Sequence, residues 1–310
     1  MPPHNQIIAS ISFVALIISL GLLLTCTNVS AQTAISNIKN PLSKPKAAPP
    51  ANQNKTKVKK TDDLIKDMVL ISGGNFQVGL APDKGLEECK KYFDRCKRFT
   101  FLEEGPEHTA FVDDYYIDKY EVTQKRFEDV TGKNPSEFLG ENHPVERVHW
   151  KQASDYCEQI GKRLPTETEW EIAAKGGENS LYHWGDAMVS GKANLCDKNC
   201  IVVTHSGQFE DGAKYTAPVG SYPPNGYGLY DMAGNVWEWV NDWYGEGYYN
   251  VAPSKNPHGP HFGFAKIIRG GSWINAPDFL RSAFRNWSDP ASAANYFGFR
   301  CALSSSKVLQ

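Results

Sequence analysis

The chain has 310 residues, room for one large domain or two small ones. Hydrophobic residues at 41% and charged residues at 22% exclude a solvated polymer without a core. A formal net charge of −2 supplies no basic field, which excludes nucleic acid as a default partner.

The first segment in chain order reads as a targeting signal. Ile7 to Leu24 is apolar without a charge, and Val29-Ser30-Ala31 before Gln32 has the small-residue ending of a signal-peptidase site. Leu23-Leu24-Thr25-Cys26 also resembles a lipobox, which makes Cys26 a lipidation candidate, and the apolar length would serve as a retained helix. All three alternatives predict export to a periplasmic or extracellular space, with membrane contact only through this terminus. Residues 32–62 read as a tether, because prolines 45, 49 and 50 stand among Lys, Asn, Ala and Ser with no apolar period. The folded part is predicted over 63–305, with a tail at 306–310.

Met68 to Val78 predicts strand, turn and strand around Gly73-Gly74, and Phe111 to Ile117 a further strand. Thr123 caps a predicted helix to Val130, stopped by Gly132, and a second helix runs from Lys151 to Ile160 before Gly161. Thr166 and Glu169 have capping-box spacing and open a third, ending at Lys175 before Gly176-Gly177. Beyond it Gly, Pro, Asn and aromatic residues dominate, which predicts irregular loops. Eight Trp residues suit such a domain, provided their N–H groups find partners when buried. The fold class is α+β, one domain of low secondary-structure content.

Seven cysteines are present, and setting Cys26 aside leaves Cys89, Cys96, Cys157, Cys196, Cys200 and Cys301. An even count in an exported chain favours disulfides over free thiols. Cys89/Cys96 and Cys196/Cys200 are near enough to close small loops, which leaves Cys157 for Cys301, although six cysteines allow many connectivities. No second cysteine pair or histidine cluster completes a zinc set.

Four segments carry functional information: Gly161–Glu171 (GKRLPTETEWE), Asn225–Trp239 (NGYGLYDMAGNVWEW), Arg269–Trp273 (RGGSW) and Gly298–Cys301 (GFRC). With Met68–Val78 and His143–Trp150 (HPVERVHW), this ordered set resembles the formylglycine-generating enzyme, or sulfatase-modifying factor, family over about residues 67–303. The resemblance implies that family's fold, a calcium-stabilised variant of the C-type-lectin-like fold. It implies one calcium set at Asp231, Gly234, Val236 and Glu238, and a second at Asn194, Leu195, Asp211 and Ala213. Calcium takes six to eight oxygen ligands from carboxylates, amides and carbonyls, which these loops offer. It also implies a Cys157–Cys301 disulfide.

The family's enzymes convert a cysteine in a sulfatase Cys-x-Pro-x-Arg segment to formylglycine, using copper(I) held by two cysteines. Aligned on Arg269–Trp273, those two places hold Asn275 and Leu280. Soft copper(I) prefers thiolate sulfur, and neither residue supplies it, so copper is not expected. The sequence reading is therefore a non-catalytic module or accessory subunit, holding one or two structural calcium ions. Its binding surface is predicted around Ser272, Trp273, Asn275, Arg281, Arg285, Trp287 and Tyr296, because aromatic residues and arginine are the usual interface anchors. The partner is a protein or peptide, with a sulfatase or larger exported complex as candidates. The alternative is an oxidoreductase that makes formylglycine or another metal-dependent oxygenase.

Overall fold

The computed structural model describes residues 61–91, 96–200 and 209–308. The predicted leader, Cys26 and the tether up to Lys60 lie outside the described residues. Helix α1 (Thr61–Ile65) precedes strands β1 (Met68–Ile71) and β2 (Gly74–Val78), followed by α2 (Pro82–Lys90) and a 3-10 turn at Arg98–Glu104. Strands β3 (His108–Val112) and β4 (Tyr115–Asp118) then lead to α3 (Gln124–Thr131), α4 (Trp150–Gln159) and α5 (Glu167–Lys175). The C-terminal half adds β5 (Trp237–Trp243), β6 (Lys266–Arg269), β7 (Asn286–Ser288), β8 (Phe297–Gly298) and β9 (Ala302–Ser304).

Local chemistry sets the helix ends. Thr123 accepts from the Arg126 N–H and caps α3, and Gly132 ends it at φ 75°, a left-handed conformation that costs glycine no Cβ clash. Thr166 and Glu169 close a reciprocal capping box on α5, and His149 with Gln152 does the same on α4. Where one strand was predicted from Phe111 to Ile117, the structure has two. Asp113 and Asp114 break the run, and their carboxylates bond Asn256 Nδ2 at 2.7 Å and the Gly73 N–H at 2.6 Å.

The strands form three sheets, ordered β1-β4-β9, β2-β3 and β7-β6-β5-β8. The four-stranded sheet lies where the sequence predicted only loops, and β5 pairs antiparallel with β6 but parallel with β8. Two apolar clusters draw on it, one around Trp170 and Ile267 and one around Trp239 and Phe299, and a third gathers around Leu195 and Leu280. Buried indoles find partners, Trp170 Nε1 donating to Glu238 at 2.8 Å and Trp239 Nε1 to the Val148 carbonyl at 2.9 Å. Disulfides join Cys89 to Cys96, Cys157 to Cys301 and Cys196 to Cys200. The second ties α4 to the segment leading into β9.

Candidate functional site

The turn after β6 carries the two places that matter for thiolate chemistry. Gly270 and Gly271 sit at φ 92° and 73° and swing the chain so that Ser272 and Trp273 point inward. The Ser272 hydroxyl donates to Asn275 Oδ1 at 2.6 Å, and the Asn275 carbonyl accepts from the Cys196 N–H at 2.9 Å. Leu280 is fully buried in the third cluster. All six cysteines among the described residues are held in disulfides. The residues present therefore do not fit a copper(I) dithiolate.

The predicted binding surface is largely interior. Ser272, Trp273, Arg281 and Arg285 are buried, Asn275 and Tyr296 are half-buried, and only Trp287 is well exposed, at 52%. The arginines fasten this segment to the core. Arg285 grips Glu167 through Nε at 2.7 Å and Nη2 at 2.9 Å, and Arg281 pairs with Glu104. Beside them Arg269 donates to Glu171 at 2.8 Å and to the Ser282 and Phe284 carbonyls at 2.8 and 2.7 Å. A buried guanidinium needs such partners, and these contacts hold the three arginines inside the fold, with only Arg269 Nε left unpaired.

Open space lies on either side of the turn. Trp273 packs edge-on against Phe138 and Tyr215, both at 5.3 Å, and those two rings wall a cleft of about 600 Å³ with Leu139 and Tyr222. Farther along, Phe279 and Phe284 help to line a cavity of about 300 Å³ with Phe101 and the Cys89–Cys96 disulfide. Segment 272–284 thus backs the first hollow through Trp273 and lines the second through Phe279 and Phe284. Another cleft, about 740 Å³ around Asp113, Asn256 and Ser304, draws no lining residue from this segment.

The two predicted cation loops are stitched together. Asn194 bridges to Gly234, and its carbonyl accepts from the Asn235 N–H at 2.9 Å. Gly234 has φ 82°, and a Cβ there would collide with the Asn194 carbonyl. In the Asn194 loop, Asp211 accepts the Leu195 and Ala213 N–H groups, each at 2.7 Å. Burial pushes the Asp211 carboxyl up to about 6, with Asp197 adding to the rise. Asn194 Oδ1 is buried and accepts no hydrogen bond. An orphaned amide oxygen beside a desolvated carboxylate is the environment a hard cation relieves.

In the Asp231 loop the fold brings in a carboxylate that the sequence reading missed. Glu121, fully buried, accepts from Asn235 Nδ2 at 2.6 Å and from the Val236 N–H at 3.2 Å. Burial, then repulsion from Asp231 and Glu238, holds it well above the usual carboxylate range. Burial likewise pushes Asp231 up to about 6, although the Gly220 N–H and Arg300 favour its charge. Glu238 is committed elsewhere, gripped by Arg300 Nε and Nη2 at 2.7 Å each. Three carboxylates thus crowd one guanidinium, and a divalent cation beside them would favour the charged forms that burial and repulsion disfavour. Among the described residues no three His, Cys, Asp or Glu side chains converge as a metal cage. A cation here would rely on amide and backbone oxygens, as calcium does.

The sulfatase-modifying factor enzyme 1-like domain family matches residues 53–305. The chain is 44% identical over 178 residues to a formylglycine-generating enzyme of Streptomyces coelicolor, covering 56% of this chain and 54% of that protein. It is 34% identical over 272 residues to a Chlamydia pneumoniae protein named serine/threonine-protein kinase pkn1, covering 78% of this chain and 39% of that protein. Against the inactive C-alpha-formylglycine-generating enzyme 2 of Mus musculus it is 37% identical over 171 residues, covering 53% of this chain and 50% of that one. The chain therefore spans between two fifths and just over half of these relatives. Two solved structures superpose with TM-scores of 0.61: Treponema denticola variable protein 1 at 26% identity and PvdO from Pseudomonas aeruginosa at 27%. Each match covers 76% of this chain and 94% of the other. The fold expected from the sequence motifs is the fold these chains share.

Proposed function

This chain belongs to the sulfatase-modifying factor enzyme 1-like family, and we propose that within it the protein is an exported, non-catalytic module that binds an extended peptide. One observation carries the reading. The two places where the resemblance puts copper-binding cysteines hold Asn275, tied to Ser272, and Leu280, sealed in the core. The peptide would lie across Asn275, with side chains reaching into the Phe138–Tyr215 cleft on one side and the Phe279–Phe284 cavity on the other. Leu139, 76% exposed at the first cleft, offers an apolar contact at its mouth. One or two calcium ions would hold the Asn194 and Asp231 loops that support this turn. An accessory role beside a sulfatase or a larger exported complex fits such a module.

The test is mass spectrometry of a Cys-x-Pro-x-Arg peptide incubated with the protein, calcium and copper(I) in air, beside an active formylglycine-generating enzyme. The expected result is an unchanged peptide that still binds, with affinity reduced by Leu139→Ser. Conversion of its cysteine to formylglycine would overturn the reading, and so would the absence of peptide binding.

A further inference from the structure

We propose that the face formed by Phe262, Phe264 and Trp287 docks on an anionic lipid surface. This lies outside the peptide site proposed above and stands on different residues. Phe262 is 86% exposed and Phe264 is fully exposed, and with Trp287 they are the exposed Phe and Trp side chains among the described residues. Gly263 between them runs flush with β5, since a Cβ there would stand 3.0 Å from Trp243 Cβ and 3.2 Å from the Tyr244 carbonyl. Tyr244 in turn packs against Trp287 at 5.4 Å between ring centroids. The loop that carries the two phenyl rings therefore packs through Gly263 on the Trp243–Tyr244 segment, against which Trp287 also packs.

The occupant is argued from shape, charge and connection. The two phenyl rings stand out from the surface rather than in a groove, a shape that a deformable bilayer interface accommodates. Phenylalanine also lacks the polar handle with which tyrosine and tryptophan satisfy a hydrogen-bonding partner. From Gly247 to Pro277 the chain has no Asp or Glu, and in that stretch Lys255, His258 and His261 are exposed. Trp287 at the flank is suited to the headgroup level. The apolar segment Ile7–Leu24 is joined to the described fold through 25–60, which include four lysines between 55 and 60. Such a stretch extends to at most about 120 Å, enough to present any face of the domain to the surface that holds the segment. A weak loop contact becomes durable when a second anchor keeps it at high effective concentration.

The experiment uses the full chain reconstituted into phosphatidylcholine/phosphatidylglycerol vesicles with brominated acyl chains. The signal is the difference in tryptophan emission between the wild type and Trp287→Phe. The expected result is that this Trp287 component is quenched by the brominated lipid and shielded from aqueous iodide. Phe262→Ser/Phe264→Ser should abolish the quenching without changing the thermal melt, because both side chains are already in water. A Trp287 component open to iodide and untouched by brominated lipid would overturn the proposal. Self-association that depends on the two phenylalanines, without lipid quenching, would also overturn it and assign the face to a second copy of this chain.

Discussion

At the scale of the residue, the controlling fact is how buried charges are matched. Burial alone would push the Glu171 carboxyl up, but Lys175, Arg269, the Gly79 N–H and the Tyr249 hydroxyl together hold it at about 2. A carboxyl depressed in the folded state contributes stability that is full above its unfolded pKa, near 4.5, and is lost as pH falls through about 2. The contribution is about 3 kcal/mol. Arg269→Met removes the guanidinium that joins Glu171 to the Ser282–Phe284 carbonyls. Breaking a buried pair from one side costs about 3–5 kcal/mol. Urea unfolding should show that loss at pH 7 and a smaller difference from wild type at pH 3, where the wild type gives up part of the same interaction. An equal difference at both pH values would separate Arg269 from the Glu171 titration.

At the scale of the element, cross-links and sheets obey different rules of distance. The Cys157–Cys301 disulfide closes 144 residues and pins α4 to the GFRC segment, whereas Cys196–Cys200 closes a loop of four. Loop-closure entropy gives about 5 kcal/mol for the first and about 2 kcal/mol for the second. Cys157→Ala/Cys301→Ala should therefore lower the urea midpoint far more than Cys196→Ala/Cys200→Ala, and equal losses would mean that local strain, not chain entropy, dominates. The same distinction explains what the sequence revealed. Capping boxes at Thr166 and a stop at Gly132 are signals within four residues, and they placed the helices correctly to within a residue or two. Strand β5 is buried on both faces from Trp237 to Val240, so it shows no two-residue alternation, and its partners lie at residues 266–269 and 297–298. The arginines were misread for the same reason. Arg281, Arg285 and Arg269 find their carboxylates 98–177 residues away, at Glu104, Glu167 and Glu171, and Glu121 meets Asn235 across 114. No window of the sequence contains either partner of such a pair together.

At the scale of the whole molecule, the C-terminal half is a loop assembly whose order depends on a few joints. The Asn194–Gly234 bridge links two acidic loops to each other, and the Cys196–Asn275 hydrogen bond links them to the turn that bears the candidate peptide site. Calcium held by these loops, as proposed, would act on all three at once. A ligand that binds only the folded state at about a hundred times its Kd adds about 2.7 kcal/mol, a rise in Tm of about 5–11 °C for a domain of this size. Wild-type protein should therefore melt higher in calcium than in EGTA, and calcium should slow hydrogen exchange first across residues 192–200 and 230–238. Asp211→Asn keeps an oxygen for the Leu195 or Ala213 N–H but removes the charge. It should lower the melt in EGTA by no more than the loss of one of these two hydrogen bonds, about 1–3 kcal/mol, while reducing the rise that calcium produces. If the Tm of wild type is the same in calcium and EGTA, the loops are held by their own hydrogen bonds. The orphaned Asn194 oxygen would then be a cost of joining the Asn194 and Asp231 loops, independent of any cation.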